Sequence, residues 1–221
     1  WKDIFPKKGE IHFAGALENN EDTGTLQYLA STAMEVGFST RVLDMQALDL
    51  QNGRFFDPAG ELVNRCFKLY PWEWMVDESP DGCLAEMEWL EPIWKLVMSN
   101  KAILATLYEL FPDSPYVLPC YLSRPRSGLF CKKPVFSREG HNVSVVDIRD
   151  WEEYVRIAET EGDYNTGAYV YQEYVEPTAY SGRYPVIGSW IIGGEAAGIG
   201  IRENRMEVTD NLSEFVPHII G

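Results

Sequence analysis

Residues 131 to 147 read CKKPVFSREGHNVSVVD, and they gather Lys132, Lys133 and Arg138 around Gly140 in a chain whose formal charge is −15. These residue types suit a phosphate. Backbone N–H groups freed by a glycine turn can point at phosphate oxygens. A lysine on a strand presents a compact charge, and an arginine can fork onto two oxygens. No GxxxxGK[ST] and no GxGxxG after a strand occurs, so this is neither a Walker loop nor a dinucleotide fingerprint. On these residues alone, a solvated surface turn accounts for the stretch equally well.

The stretch alternates on both sides of Ser137–Gly140, which predicts two strands joined by a tight loop. Upstream, IHFAGA (11–16) reads as a strand, ENNEDTGT as a polar turn, and LQYLASTAMEVG (26–37) as a helix stopped by Gly37. TRVLDM (40–45) is the next strand. Together these predict a βαβ unit and a parallel pair. GRFFDPAGELVNRCFKLY (53–70) holds a DPAG turn between β-rich stretches.

PIWKLVMSNKAILATLYELF carries one or two helices, and the proline-rich 111–128 is loop-like. DIRDWEEYVRIAETEG (147–162) reads as an amphipathic helix with an acidic start. AYVYQEYV (168–175) is a strand, 183–203 two strands turning at Gly193-Gly194-Glu195, and MEVTDN opens a last strand and loop.

The bulk numbers exclude several classes. The 221 residues, 45 % apolar, suffice for one large or two small domains. No apolar run reaches about 18 residues, so no membrane-spanning helix is expected. The acidic charge disfavours nucleic acid and anionic membrane as partners. Cys66, Cys83, Cys120 and Cys131 lack CxxC spacing and read as buried free thiols in a cytoplasmic protein; the three histidines are too scattered for a zinc site. A chain opening on Trp1 reads as a C-terminal slice of a longer protein.

Several blocks occur in a telling order: FKLY then WEW (72–74), SNKAILATLYELFP (99–112), CKKPVFSREGHNV (131–143), YVYQEY (169–174), SGRYPVIGSWIIGGEAAGIGIRE (181–203) and NLSEFVPHII. The series resembles the synthetase domain of the glutathionylspermidine synthase family, and within it the stand-alone acid–amine ligases without the amidase domain. The resemblance implies an α/β protein with a permuted ATP-grasp fold and a βαβ substrate-side (pre-ATP-grasp-like) region. The latter would occupy 1–70 and the ATP-grasp module 71–221, with a nucleotide lobe over about 129–176.

The resemblance also assigns roles. Lys101 and Lys133 match two ATP lysines. Ser137, Arg138 and Gly140 belong to a glycine loop that closes over the phosphates. Gln172, Glu173, Tyr174 and Val175 match the strand that reads the adenine edge. Arg202 matches a catalytic arginine near the γ-phosphate, and Glu21 with Asp22 an acidic pair facing a cationic amine. The implied reaction joins a small-molecule or peptide carboxylate to that amine through an acyl-phosphate, using ATP and Mg²⁺.

The family's magnesium ligands are expected upstream of this chain. Glu207, Asp210 and Asn211 could replace them, yet they read more simply as strand-end polar residues. The residues themselves leave blander roles open: a solvated Lys101, half-exposed strand positions at Gln172 and Glu173, a surface ion pair at Arg202-Glu203, and a favourable helix start at Glu21-Asp22. A catalytically incomplete ATP-binding module or a structural partner domain therefore remains the alternative.

Overall fold

A computed structural model describes residues 1–150, 153–164, 167–208 and 213–219. It divides into two compact units, Trp1–Val97 and Met98–Gly221. The boundary expected after residue 70 falls inside the first unit. Trp72, Met75 and Cys83 are buried in one cluster with Ala14, Phe55 and Cys66, so the segment after Tyr70 belongs to the first unit's core.

The first unit is built on the predicted βαβ motif. Strand β1 (Glu10–Gly15), helix α1 (Asn20–Glu35) and strand β2 (Ser39–Asp44) follow in order, and β1 pairs parallel with β2. Strands β3 (Asp49–Gln51), β4 (Arg54–Phe56) and β5 (Leu62–Val63) form a small antiparallel sheet whose last turn contains the DPAG signal. Strand β6 (Arg65–Leu69), the short helices α2 (Trp72–Glu78) and α3 (Pro80–Cys83), and strand β7 (Glu88–Leu90) complete the unit. The order β2-β1-β6-β7 is parallel throughout.

Strand β1 is central and buried on both faces, as a near-continuous apolar strand in a covered parallel sheet should be. Ile11 and Phe13 lie in a cluster with Leu26, Ala30 and Ala33 of α1, while Ala14 packs with Leu43, Phe55, Val63 and Trp72 on the other side. Trp1 and Phe67 meet the Phe13 ring at 5.3 and 5.7 Å between centroids.

Helix α1 starts six residues earlier than the apolar spacing indicated. The Asn19 side chain accepts from Glu21 N at 2.9 Å, and Glu21 and Asp22 fill the first turn, where negative charge is favoured. The polar stretch read as a turn is thus a capped helix start. Gly37, at φ 91°, ends the helix as predicted by donating to Met34 O.

The short helix α4 (Leu96–Ser99) carries the division between the units, and α5 (Ala102–Leu110) opens the second. Strands β8 (Cys120–Tyr121), β9 (Gly128–Pro134), β10 (Ser144–Ile148), β11 (Tyr154–Glu159) and β12 (Tyr169–Glu173) form an antiparallel sheet of order β11-β10-β9-β12-β8. Strands β13 (Tyr184–Ile192), β14 (Glu195–Asn204) and β15 (Glu214–Val216) form another. Residues 206–208 are not strand, and Asp210 and Asn211 lie outside the described residues.

Where the helix was expected over 147–162, the described residues form the end of β10 and the edge strand β11. Asp150 Oδ1 accepts from Glu153 N at 2.8 Å just ahead of β11. Tyr154, Val155 and Ile157 are aromatic or β-branched, and they extend the sheet against β10 with Ile148 opposite Tyr154. Trp151 and Glu152 of that stretch lie outside the described residues.

Three of the four free thiols are buried, whereas Cys131 is half-buried. Among the described residues, no helix is long and apolar enough to cross a membrane.

Candidate functional site

Period-two alternation sorts the cations of the opening stretch. Lys132 and Lys133 are neighbours on β9, so they project to opposite faces. Lys133 pairs with Val170 of β12, and Cys131 with Gln172. On this face α5 packs through Ala105 against Cys120 and Val170. Phe130, Val146, Ile148 and Tyr171 make the opposite face, where the Lys132 ammonium sits 4.0 Å from the Tyr169 ring centroid. Lys132 therefore makes a cation–π contact away from Lys133.

The Lys133 face opens into a cavity of about 470 Å³ within the second unit. Its walls include Lys101, Lys133, Ser137, Arg138, Gly140, Tyr174, Val175 and Arg202, so the structure gathers eight of the expected site residues at one place. Each is placed by a local device. Lys101 N donates to Val135 O at 2.8 Å, which fixes the start of α5 beside the end of β9. The Lys101 ammonium then donates to Ser137 Oγ at 3.0 Å and to Ser137 O. Lys133 Nζ donates to Gln172 Oε1 at 2.7 Å across the strand pair.

The segment between β9 and β10 is nine residues long, not the tight loop expected. Glu139 and Gly140 adopt φ of 53° and 74°, where glycine removes the steric cost. Ser137 is buried and Thr160 Oγ1 donates to Gly140 O, so the loop is tied at both ends of its turn. Arg202 stands on β14 opposite Val186 and Phe215, with its guanidinium 5.8 Å from the Phe215 ring. Glu203 pairs with Arg183 at 3.9 Å rather than with Arg202.

Four expected members stand differently. Gln172 takes part through Lys133. Glu173 projects to the other side of β12 and is exposed; its backbone N–H donates to Pro119 O at 2.8 Å. Glu21 and Asp22 lie in the first unit, in the first turn of α1.

The walls also include Cys131, Val143 and Glu207, which the sequence reading did not assign to this site. Alternation two residues before Lys133 signals Cys131. No local pattern signals Glu207, which accepts from Tyr174 Oη at 2.8 Å. Burial, and then that hydrogen bond, push the Tyr174 hydroxyl up to about 12, so it stays a donor near neutral pH. Burial likewise pushes the Cys131 thiol up, against the opposing pull of Lys133.

Residues 1–221, the whole chain, match the family described as glutathionylspermidine synthase preATP-grasp. The chain belongs to the glutathionylspermidine synthase family. A Haemophilus influenzae relative, whose name assigns it to the acid–amine ligases, is 34 % identical over 221 residues, covering 96 % of this chain and 56 % of that protein. The trypanothione synthetase of Crithidia fasciculata is 28 % identical over 94 % of this chain and 35 % of its own length. The bifunctional glutathionylspermidine synthetase/amidase of Escherichia coli K12 is 26 % identical over 90 % and 36 %. The chain thus spans about half the length of the first relative and about a third of the other two.

In this glutathionylspermidine synthase family member, the cavity's donor set matches a polyphosphate. Four cationic side chains face one space, beside a glycine turn and the apolar walls of Val143, Val175 and the Tyr174 ring. Among the described residues, no group of three His, Cys, Asp or Glu is placed to hold a metal ion.

Proposed function

We propose that the second unit is the nucleotide module of an ATP-dependent carboxylate–amine ligase with a permuted ATP-grasp fold. The observation that carries this reading is the convergence of Lys101, Lys133, Arg138 and Arg202 on one cavity. ATP is a substrate here; it supplies the phosphoryl group that turns a carboxylate into an acyl-phosphate for attack by an amine. Mg²⁺ accompanies it, with ligands assigned to no residue of this chain.

This chain's own residues hold and neutralise the nucleotide. Lys133, oriented by Gln172, places a charge on the phosphates from a rigid strand, and Lys101 does so from the start of α5. Arg138 and the N–H groups beside Gly140 cover the phosphates from the loop. Arg202 stabilises the charge that develops on the transferred group, a role in which fixed cations contribute most. Tyr174 and Val175 border the base. The names of the relatives support ligation of a small-molecule or peptide acid to a cationic amine, and the four free thiols support a reducing, cytoplasmic setting.

Amine recognition falls to Glu21 and Asp22 in this reading. The test is ADP release from ATP, measured with a panel of acids and amines on the longest polypeptide that carries this sequence. Glu21→Gln with Asp22→Asn is expected to raise the amine KM about tenfold or more, for loss of two charge-assisted contacts, and to leave the KM for ATP in place. A lower melting temperature with unchanged amine KM assigns the pair to the helix start alone. Nucleotide binding without ADP release for any pair of substrates reduces the protein to an ATP-binding module.

A further inference from the structure

Two carboxylates, Glu139 and Glu207, stand on the walls of the cavity that Lys101, Lys133, Arg138 and Arg202 also line. A carboxylate is repelled by phosphates, so each needs another reason to be there. Glu139 is an exposed part of the turn at Gly140. Glu207 is brought to the cavity by a local device. Strand β14, which carries Arg202, ends at Asn204, whose side-chain oxygen accepts from Arg205 N at 2.6 Å and from Met206 N at 3.2 Å. The chain leaves this turn with Glu207 and Val208 on the cavity wall, while Arg205 and Met206 are exposed.

The Tyr174 hydroxyl donates to Glu207 Oε2 at 2.8 Å, and Tyr174 N–H donates to Leu129 O at 3.0 Å. A tyrosine fixed at its backbone thus orients the carboxylate. Among the described residues no cation pairs with Glu207, although four line the same cavity, and its Oε1 is left without a partner. The sequence neighbours of the pair, Val175, Pro177 and Val208, are apolar walls. Glu207 therefore keeps company with the residues that suit a base, and it is not spent on neutralising a cation. A free acceptor in that place calls for an uncharged donor. Between its base and its phosphates a nucleotide carries one such group, the vicinal hydroxyls of the ribose, and a carboxylate accepts from them in dinucleotide sites.

Resting on the nucleotide reading above, we propose that Glu207 binds the ribose hydroxyls of ATP and selects ribonucleotides over their deoxy counterparts. Glu207 is the specificity residue and Tyr174 its positioning partner.

The experiment is a calorimetric titration of the longest polypeptide that carries this sequence with ATP, dideoxy-ATP and purine riboside triphosphate, which lacks the exocyclic amine of the base. The unsubstituted protein is expected to bind ATP about tenfold more tightly than dideoxy-ATP, for loss of a charge-assisted contact. Glu207→Ala, a change at an exposed position, should bring that ratio close to one, and Tyr174→Phe should lower it part of the way. The ratio is the readout because removing a negative charge alters the hold on phosphates equally for both nucleotides. Equal affinity for ATP and dideoxy-ATP in the unsubstituted protein, or an unchanged ratio in Glu207→Ala, would overturn the assignment. So would a Glu207→Ala effect confined to the purine riboside comparison, which puts the carboxylate on the base. Failure to bind ATP at all would remove the nucleotide reading and this assignment with it.

Discussion

Lys133→Ala lowers the affinity for a non-hydrolysable ATP analogue by about 1.5–3 kcal/mol, the range for a hydrogen bond to a charged group, which is roughly ten- to a hundredfold in Kd. The loss is expected to be large because the ammonium is already oriented. Its bond to Gln172 Oε1 and its place within the β9–β12 pairing hold it at the cavity before any ligand arrives. Lys132→Ala is the matched control. It removes the same charge one residue away, but from the face that carries Tyr169 and Phe130. Calorimetric titration of both variants separates the two faces: a loss at 133 with little change at 132 is expected. Equal losses would mean that net charge, not position, attracts the nucleotide.

Phe13→Ala costs about 3–5 kcal/mol of stability, the range for truncating a buried aromatic. Phe13 is fully buried on the central strand of the parallel sheet, with Trp1 and Phe67 against its ring and α1 over it. A loss of that size is a large part of the roughly 5–15 kcal/mol that holds an ordinary domain folded. Urea unfolding followed by tryptophan fluorescence reads it as a lower midpoint. A loss under about 1 kcal/mol, the scale of a surface change, would contradict the packing described for β1.

The βαβ unit was legible because its signals agree. The apolar spacing of Leu26, Ala30 and Ala33, the stop at Gly37 and the short flanking strands all favour one arrangement. The 147–162 segment was misread because Tyr154, Val155 and Ile157 sit at spacings that fit a helix as well as a strand. Pairing with β10, a contact between strands, made the choice. Asn19 was a readable cap, and reading it would have moved the helix start to its observed place.

In the site, Lys101, Lys133, Arg138 and Arg202 were found through the order of sequence blocks. No local pattern places residues over 100 positions apart around one cavity. Glu207 was read as a strand-end polar residue, with a metal role as the alternative, because its hydrogen bond to Tyr174 joins positions 33 residues apart. The opposed directions of Lys132 and Lys133 were available from strand period alone, and the opening stretch, read as one cluster of cations, concealed them.

Hydrogen exchange of the chain with and without the ATP analogue tests the central claim most directly, because it locates the nucleotide without substitution. A loop that covers phosphates must open for exchange of ligand and order when ligand is bound. The amides of Ser137–Gly140 and of Tyr174–Val175 are therefore expected to gain protection together, with β1 and α1 of the first unit unchanged. Binding of the analogue with no added protection at Ser137–Gly140 would contradict the account.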